Sequence, residues 1–153
     1  YDKLIKKFRN HAEITISQSL CLDTFGKTEF FTTTNNGLSS SIYSKHDPKM
    51  HKIEYNPGSI FVNTVTLDSL TEVYDTIDLL VIDAQGSEDK VLRGAKETLK
   101  KTERVFTEVS ETPLYENACV LNDIDDIMSN SGFVRVGLYL NERGTGDALY
   151  WKE

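Results

Sequence analysis

The sequence predicts an α/β fold in which a buried parallel strand, a crossover helix and an antiparallel closing hairpin belong to one sheet. Three observations carry this. In Ile77-Asp78-Leu79-Leu80-Val81-Ile82, five of six residues are aliphatic, too continuous for a strand with one wet face and suited to a strand covered on both sides. That run ends in the polar turn Asp83-Ala84-Gln85-Gly86, followed by Ser87, Glu88 and Asp89, the acids and cap residue that favour a helix start. From residue 77 onward the elements read β-α-β-α-β-β, the order of half a doubly wound sheet ending in a hairpin. In open α/β sheets ligands bind beyond the carboxyl ends of the strands, so any chemistry is expected around Asp83 to Glu88.

Taken in order, Leu4, Ile5 and Phe8 recur at helical spacing and predict an amphipathic helix over residues 1–10. Ile14 and Ile16 alternate with polar residues and predict a strand over 13–21; Asp23 to Gly26 is a turn, and Lys27 to Thr33 alternates as a second strand. Thr32 to Ser44 is a Thr-, Asn-, Gly- and Ser-rich loop with little to bury, and His46 to Pro57 is irregular. Ile60 to Val65 is β-rich, and Asp68 is placed to cap a short helix from Leu67. The stripe Val91, Leu92, Ala95 and Leu99 predicts one helix from about Ser87 to Lys101. Arg104 to Ser110 is a strand adjacent and parallel to 77–83, with the ionisable Glu108 among Val105, Phe106 and Val109. Leu121 to Ser131 is a helix stopped by Gly132 and expected to cover the face of strand 77–83 that the 87–101 helix leaves open. Residues 133–140 and 148–151 form the hairpin.

A chain of 153 residues reads as one domain, long enough to bury roughly 70% of its unfolded surface. Its net charge of −7 argues against nucleic acid as a partner, since phosphate backbones are held by clustered Lys and Arg. Lys3, Lys6, Lys7 and Arg9 fit the solvated face of a helix. No apolar run is long enough to span a membrane. Cys21 and Cys119 are far apart, with no CxxC, and read as reduced thiols, which predicts a cytoplasmic protein. The chain opens on Tyr1 within a helical pattern, so it reads as part of a longer polypeptide.

Thr66-Leu67-Asp68-Ser69-Leu70, then Ile77-Asp78 leading to Ile82-Asp83-Ala84-Gln85-Gly86-Ser87-Glu88, then Val91-Leu92-Arg93-Gly94-Ala95 and Glu108-Val109-Ser110 resemble the FkbM-type methyltransferases. The likeness is closest over residues 62–110, with looser matches at Ile14 to Phe31, Gly132-Phe133 and Gly146 to Tyr150. The resemblance implies a Rossmann-like class I methyltransferase sheet, here incomplete at its N-terminal strands, with an antiparallel C-terminal hairpin. It implies S-adenosylmethionine as cofactor and a small-molecule or glycan hydroxyl as acceptor; a homo-oligomer is an open alternative. The family's Gly-rich loop after the first strand, which offers backbone N–H groups to the cofactor, has no counterpart before residue 77. The chain thus reads as the carboxyl-terminal two-thirds of a methyltransferase domain, residues 1–153 forming a single partial domain that by itself is inactive and binds the cofactor weakly or not at all. A non-catalytic α/β binding or assembly module is the competing reading. In the family's strand order two strands lie between 14–21 and 79–83, so these two should not pair directly.

The resemblance places Asp83 at the end of the fourth strand, where a carboxylate orients the acceptor hydroxyl, takes its proton, or faces the cofactor's sulfonium charge; the alternative is a simple helix cap. Glu108 is costly in an apolar strand unless paired or used, and is the second catalytic candidate. Gln18, Ser19, Asp83, Ala84 and Gln85 are the expected cofactor contacts, and Gln85 and Glu88 the expected acceptor contacts. No metal is expected: His46 and His51 sit five apart without a third ligand, and Asp123, Asp125 and Asp126 lack the glycine and distal glutamate of a calcium loop.

Overall fold

The computed structural model describes residues 1–44 and 53–153. The elements in chain order are α1 (Asp2–Phe8), β1 (Leu20–Cys21), β2 (Gly26–Phe30), β3 (Ile60–Val65), α2 (Leu67–Thr71), β4 (Leu80–Ile82), α3 (Glu88–Arg93), α4 (Lys96–Lys100), β5 (Arg104–Ser110), α5 (Leu121–Asn130), β6 (Phe133–Leu140) and β7 (Thr145–Lys152). They build two sheets, ordered β1-β3-β2 and β4-β5-β7-β6. As the aliphatic run predicts, β4 lies parallel to β5, with Leu80 opposite Val105 and Ile82 opposite Thr107. The closing hairpin is antiparallel, β7 lying between β5 and β6. No helix among the described residues is long and apolar enough to cross a membrane.

Several elements differ from expectation, each for a tertiary reason. The strand over 13–21 shortens to Leu20–Cys21, the part that finds a parallel partner in Thr64 and Val65. The strand over 77–83 shortens to Leu80–Ile82, with Ile77 held by an isolated parallel bridge to Thr102. The helix over 87–101 is two helices, α3 and α4, broken at Gly94 and Ala95. The break lies where the backbone at Leu22 comes so close that a Cβ on Gly94 would stand 2.2 Å from the Leu22 carbonyl oxygen. Asp68 does not cap its own helix. Thr66 Oγ1 accepts from Ser69 N there, and the Asp68 carboxylate crosses to α4, where Oδ1 accepts from Thr98 N at 2.7 Å and Thr98 Oγ1 at 2.8 Å. A carboxylate at a helix N-terminus satisfies orphan N–H groups and meets the positive end of the dipole.

The core lies on one face of the larger sheet, where Val91 and Leu92 of α3, Leu99 of α4, and Leu121, Ile124 and Met128 of α5 pack against Ile82, Val105, Val109, Ala148 and Tyr150. The expectation that α5 covers the second face of β4 is therefore wrong: α5 joins α3 on the same face. Opposite them Leu79 is 49% exposed, Val81 61% and Phe106 38%. A continuous apolar run shows that a strand suits burial on both faces, not which elements supply it.

No ladder joins β1 to β4 among the described residues, as the strand order led us to expect. Between them runs a groove of about 280 Å³ whose walls include Ser19, Leu20, Leu80, Ile82, Asp83 and Ala84.

Candidate active site

Where β4 ends, the chain turns sharply. Gln85 has φ +50° and Gly86 φ +92°, the left-handed region that an ordinary residue enters at a cost of order 1 kcal/mol or more. Gly86 is needed for space as well, because a Cβ there would lie 2.8 Å from the Tyr115 ring and 2.9 Å from Ala118 Cβ. The strained Gln85 is held by its backbone: Ser41 Oγ donates to Gln85 O at 2.7 Å. The turn is closed from within by Glu88, 3% exposed, whose Oε1 accepts from Ala84 N at 2.8 Å and Gly86 N at 3.2 Å. Ser87, expected as a helix cap, instead donates from Oγ back to Ala84 O at 2.9 Å.

Three carboxylates meet here. One oxygen each of Asp83, Glu88 and Glu108 lies within 4.8 Å of the others. Asp83 is exposed and Glu108 half-buried, and between them the Gln85 side chain donates from Nε2 to Asp83 Oδ1 at 2.7 Å and to Glu108 Oε2 at 3.2 Å. Burial, then the charges of Asp83, Glu88 and Asp147, push the Glu108 carboxyl up to about 8; Asp147 faces Glu108 across the β5–β7 ladder. Burial likewise raises Glu88, against the pull of its backbone donors, and lifts the Cys119 thiol beside it to about 12, leaving that thiol unreactive at neutral pH. Such a cluster is close enough to hold a cation. One Glu88 oxygen already accepts from two N–H groups, and burial with the neighbouring charges favours the protonated form of Glu108.

This charge state has a measurable consequence for folding. Between its ordinary value of 4.5 and about 8, Glu108 holds a proton when folded that the unfolded chain releases, so stability falls as pH rises through that window and levels above it. Glu88 acts in the same direction. Glu108→Gln removes the larger contribution, and its melting temperature is expected to fall less than that of the wild type between pH 5 and 8. Parallel slopes would show that Glu108 ionises normally.

A cavity of about 220 Å³ opens on the other side of Gln85 and Glu108, walled by Ser39, Ile53, Leu114, Tyr115 and Thr145. The structure thus brings Asp83, Ala84, Gln85 and Glu108 together, and Ser19 joins Asp83 and Ala84 on the β1–β4 groove. Gln18 does not line that groove but a neighbouring open pocket with Leu4, Ile16, Phe30 and Val62, and Ser19 and Leu20 line both. Glu88, expected on the acceptor, is turned inward and shapes the turn. Asp123 accepts from Val120 N, and Asp125 pairs with Arg135 at 2.7 Å, so both serve α5. His46 and His51 lie outside the described residues. The sequence reading missed Tyr115 and Ser41; the signal for Tyr115 was its place in the loop after β5, the second loop at the carboxyl edge of the sheet.

An α/β domain with clustered carboxylates at the ends of adjacent parallel strands, between a groove and a cavity, has the layout of a ligand-binding α/β enzyme. Residues 8–135 match the methyltransferase FkbM domain, and the chain belongs to that family. It is 36% identical over 118 residues to the 2-O-methyltransferase NoeI of Sinorhizobium fredii (strain NBRC 101917 / NGR234), an alignment covering 69% of this chain and 47% of the relative. The chain thus spans about half the length of that relative. No solved structure gives a significant match.

Proposed function

We propose that the chain carries the catalytic carboxylates of an S-adenosylmethionine-dependent O-methyltransferase whose acceptor is a hydroxyl of a sugar or another small metabolite. The observation that carries this reading is the meeting of Asp83 and Glu108, their carboxylate oxygens within 4.8 Å of one another, with Asp83 on the groove and Glu108 on the cavity. The name of the 36% identical relative supports O-methylation. The parallel β4–β5 pair, followed by the antiparallel β7 and β6, supports a Rossmann-like arrangement of the sheet.

The groove suits the cofactor in kind: Leu80 and Ile82 give it an apolar floor, and Ser19 and the Asp83 carboxylate a polar rim that would favour a sulfonium charge. Ser19, Asp83 and Ala84 would hold the cofactor, which when bound supplies an electrophilic methyl group. The chain's own residues act on the acceptor. Asp83 orients the hydroxyl and takes its proton, and Glu108, neutral near pH 7, hydrogen-bonds to Asp83 and keeps a second negative charge away from that base. Gln85 spaces the two carboxylates, and the cavity orients the acceptor, the main contribution a protein makes to a displacement of this kind. A purely structural module gains nothing from crowding three carboxylates, which favours the catalytic reading over a binding or assembly role.

The test is to incubate the native protein with S-adenosylmethionine and a panel of neutral sugars and other small alcohols, following methylated product by mass spectrometry. Transfer to a hydroxyl is expected. Cofactor binding without transfer to any hydroxyl acceptor would favour the non-catalytic reading.

A further inference from the structure

The amide of Gln85 donates to both site carboxylates, and its orientation has a physical cause. A carboxylate accepts, so Nε2 must face Asp83 and Glu108, and Oε1 must then face away. At that oxygen the Tyr115 hydroxyl donates at 3.0 Å. We propose that Tyr115 is a positioning residue of this site, fixing the Gln85 amide as a bridging donor between Asp83 and Glu108. Its effect on turnover rests on the methyltransferase reading; its effect on the amide does not.

The surroundings fit that role. Tyr115 is 2% exposed, so its ring cannot swing away, and it stacks on Tyr43 with centroids 6.0 Å apart. Its hydroxyl also lies 3.3 Å from Ser39 O, on the same loop whose Ser41 holds the Gln85 backbone. Of these two contacts the one to Gln85 is the shorter. The side chain and the main chain of Gln85 are therefore fixed from different elements, which is what a strained turn needs to present one rotamer. Without the hydroxyl, Oε1 loses this donor and the amide can rotate, so neither carboxylate keeps Gln85 as a constant partner.

The chain's glutamines are Gln18 and Gln85, and Gln18 is exposed, so ¹⁵N-glutamine labelling gives a readout independent of activity. In the wild type the Gln85 side-chain amide should be shifted from the exposed Gln18 signal, slow to exchange, and sensitive to pH around 8 as Glu108 titrates. In Tyr115→Phe it should move toward the Gln18 position and lose that protection. With an acceptor in hand, kcat is expected to fall roughly tenfold with KM little changed, the pattern of a lost alignment. Because Tyr115 acts through Gln85, Tyr115→Phe/Gln85→Leu should cost no more than Gln85→Leu alone; additive losses would make Tyr115 merely structural and overturn the proposal. So would a Gln85 amide unchanged in Tyr115→Phe, or one that changes with kcat intact. Should Tyr115→Phe fail to fold, exchange protection and pH response of the wild-type Gln85 amide still decide, since an unprotected, pH-insensitive amide overturns the bridge. Should the protein transfer no methyl group, the amide signals alone settle the inference, and only the enzymatic reading falls.

Discussion

Asp83→Asn is expected to lower methyl transfer by roughly 10²-fold or more while leaving the fold intact. Asparagine keeps the shape of the side chain and an oxygen for Gln85 Nε2, and Asp83 is exposed, so little packing is at risk. What disappears is the charge that orients and deprotonates the acceptor hydroxyl. A second, independent change should accompany it. The Asp83 charge is the foremost cause after burial of the raised Glu108 carboxyl, so in Asp83→Asn the Glu108 transition near 8 should move down toward the ordinary carboxylate range. Turnover within a few-fold of wild type would reduce Asp83 to a residue that shapes the start of α3. A Glu108 transition that stayed in place would mean the two groups do not feel one another.

The site was legible in the sequence where its chemistry was out of place locally. A glutamate inside an apolar strand is costly without a use, and an acid that closes an aliphatic run marks the carboxyl edge where such sheets bind ligands; Asp83 and Glu108 do meet. Ser41 and Tyr115 were not legible, because their partners are distant along the chain: Ser41 bonds Gln85 44 positions away, and Tyr115 bonds Gln85 30 positions away. No periodicity marks such residues. Ser41 also lies in a stretch that composition reads as a surface loop, yet it is buried. The stripe Val91, Leu92, Ala95 and Leu99 was read correctly as a buried face, but it passes unbroken through the α3–α4 junction, so the break was invisible in the pattern. Placing α5 on the wrong face of β4 had the same origin: amphipathicity says that a helix has a core face, while topology decides which side of the sheet that face meets. Cap chemistry misled for a related reason, since Asp68 stands at the start of α2 but its carboxylate belongs to α4.

The α3–α4 junction carries the largest expected effect on stability. Gly94→Ala places a methyl group 2.2 Å from the Leu22 carbonyl oxygen and 3.1 Å from Asp23 Cα, backbone atoms that no rotamer change can move aside. The backbone of Gly94 has φ −85°, open to alanine, so the penalty is one of space rather than conformation. The same junction holds the start of α2, because Asp68 N donates to Gly94 O at 3.0 Å, and thereby ties the β1–β3 layer to the core under β4. Pushing Leu22 outward would strain both sides of the groove at once. Overpacking of a rigid site costs about 3 kcal/mol at the upper end of its usual range, which in a domain of this size lowers the melting temperature by roughly 6 to 12 °C. Gly137→Ala is the matched control, since its added methyl would meet only Leu149 Cβ at 3.5 Å, an ordinary contact. Thermal unfolding followed by circular dichroism should show a large drop for Gly94→Ala and little change for Gly137→Ala. Equal melting temperatures would mean that the chain at Leu22 does not press on Gly94, and the close seam between the two sheets would have to be abandoned.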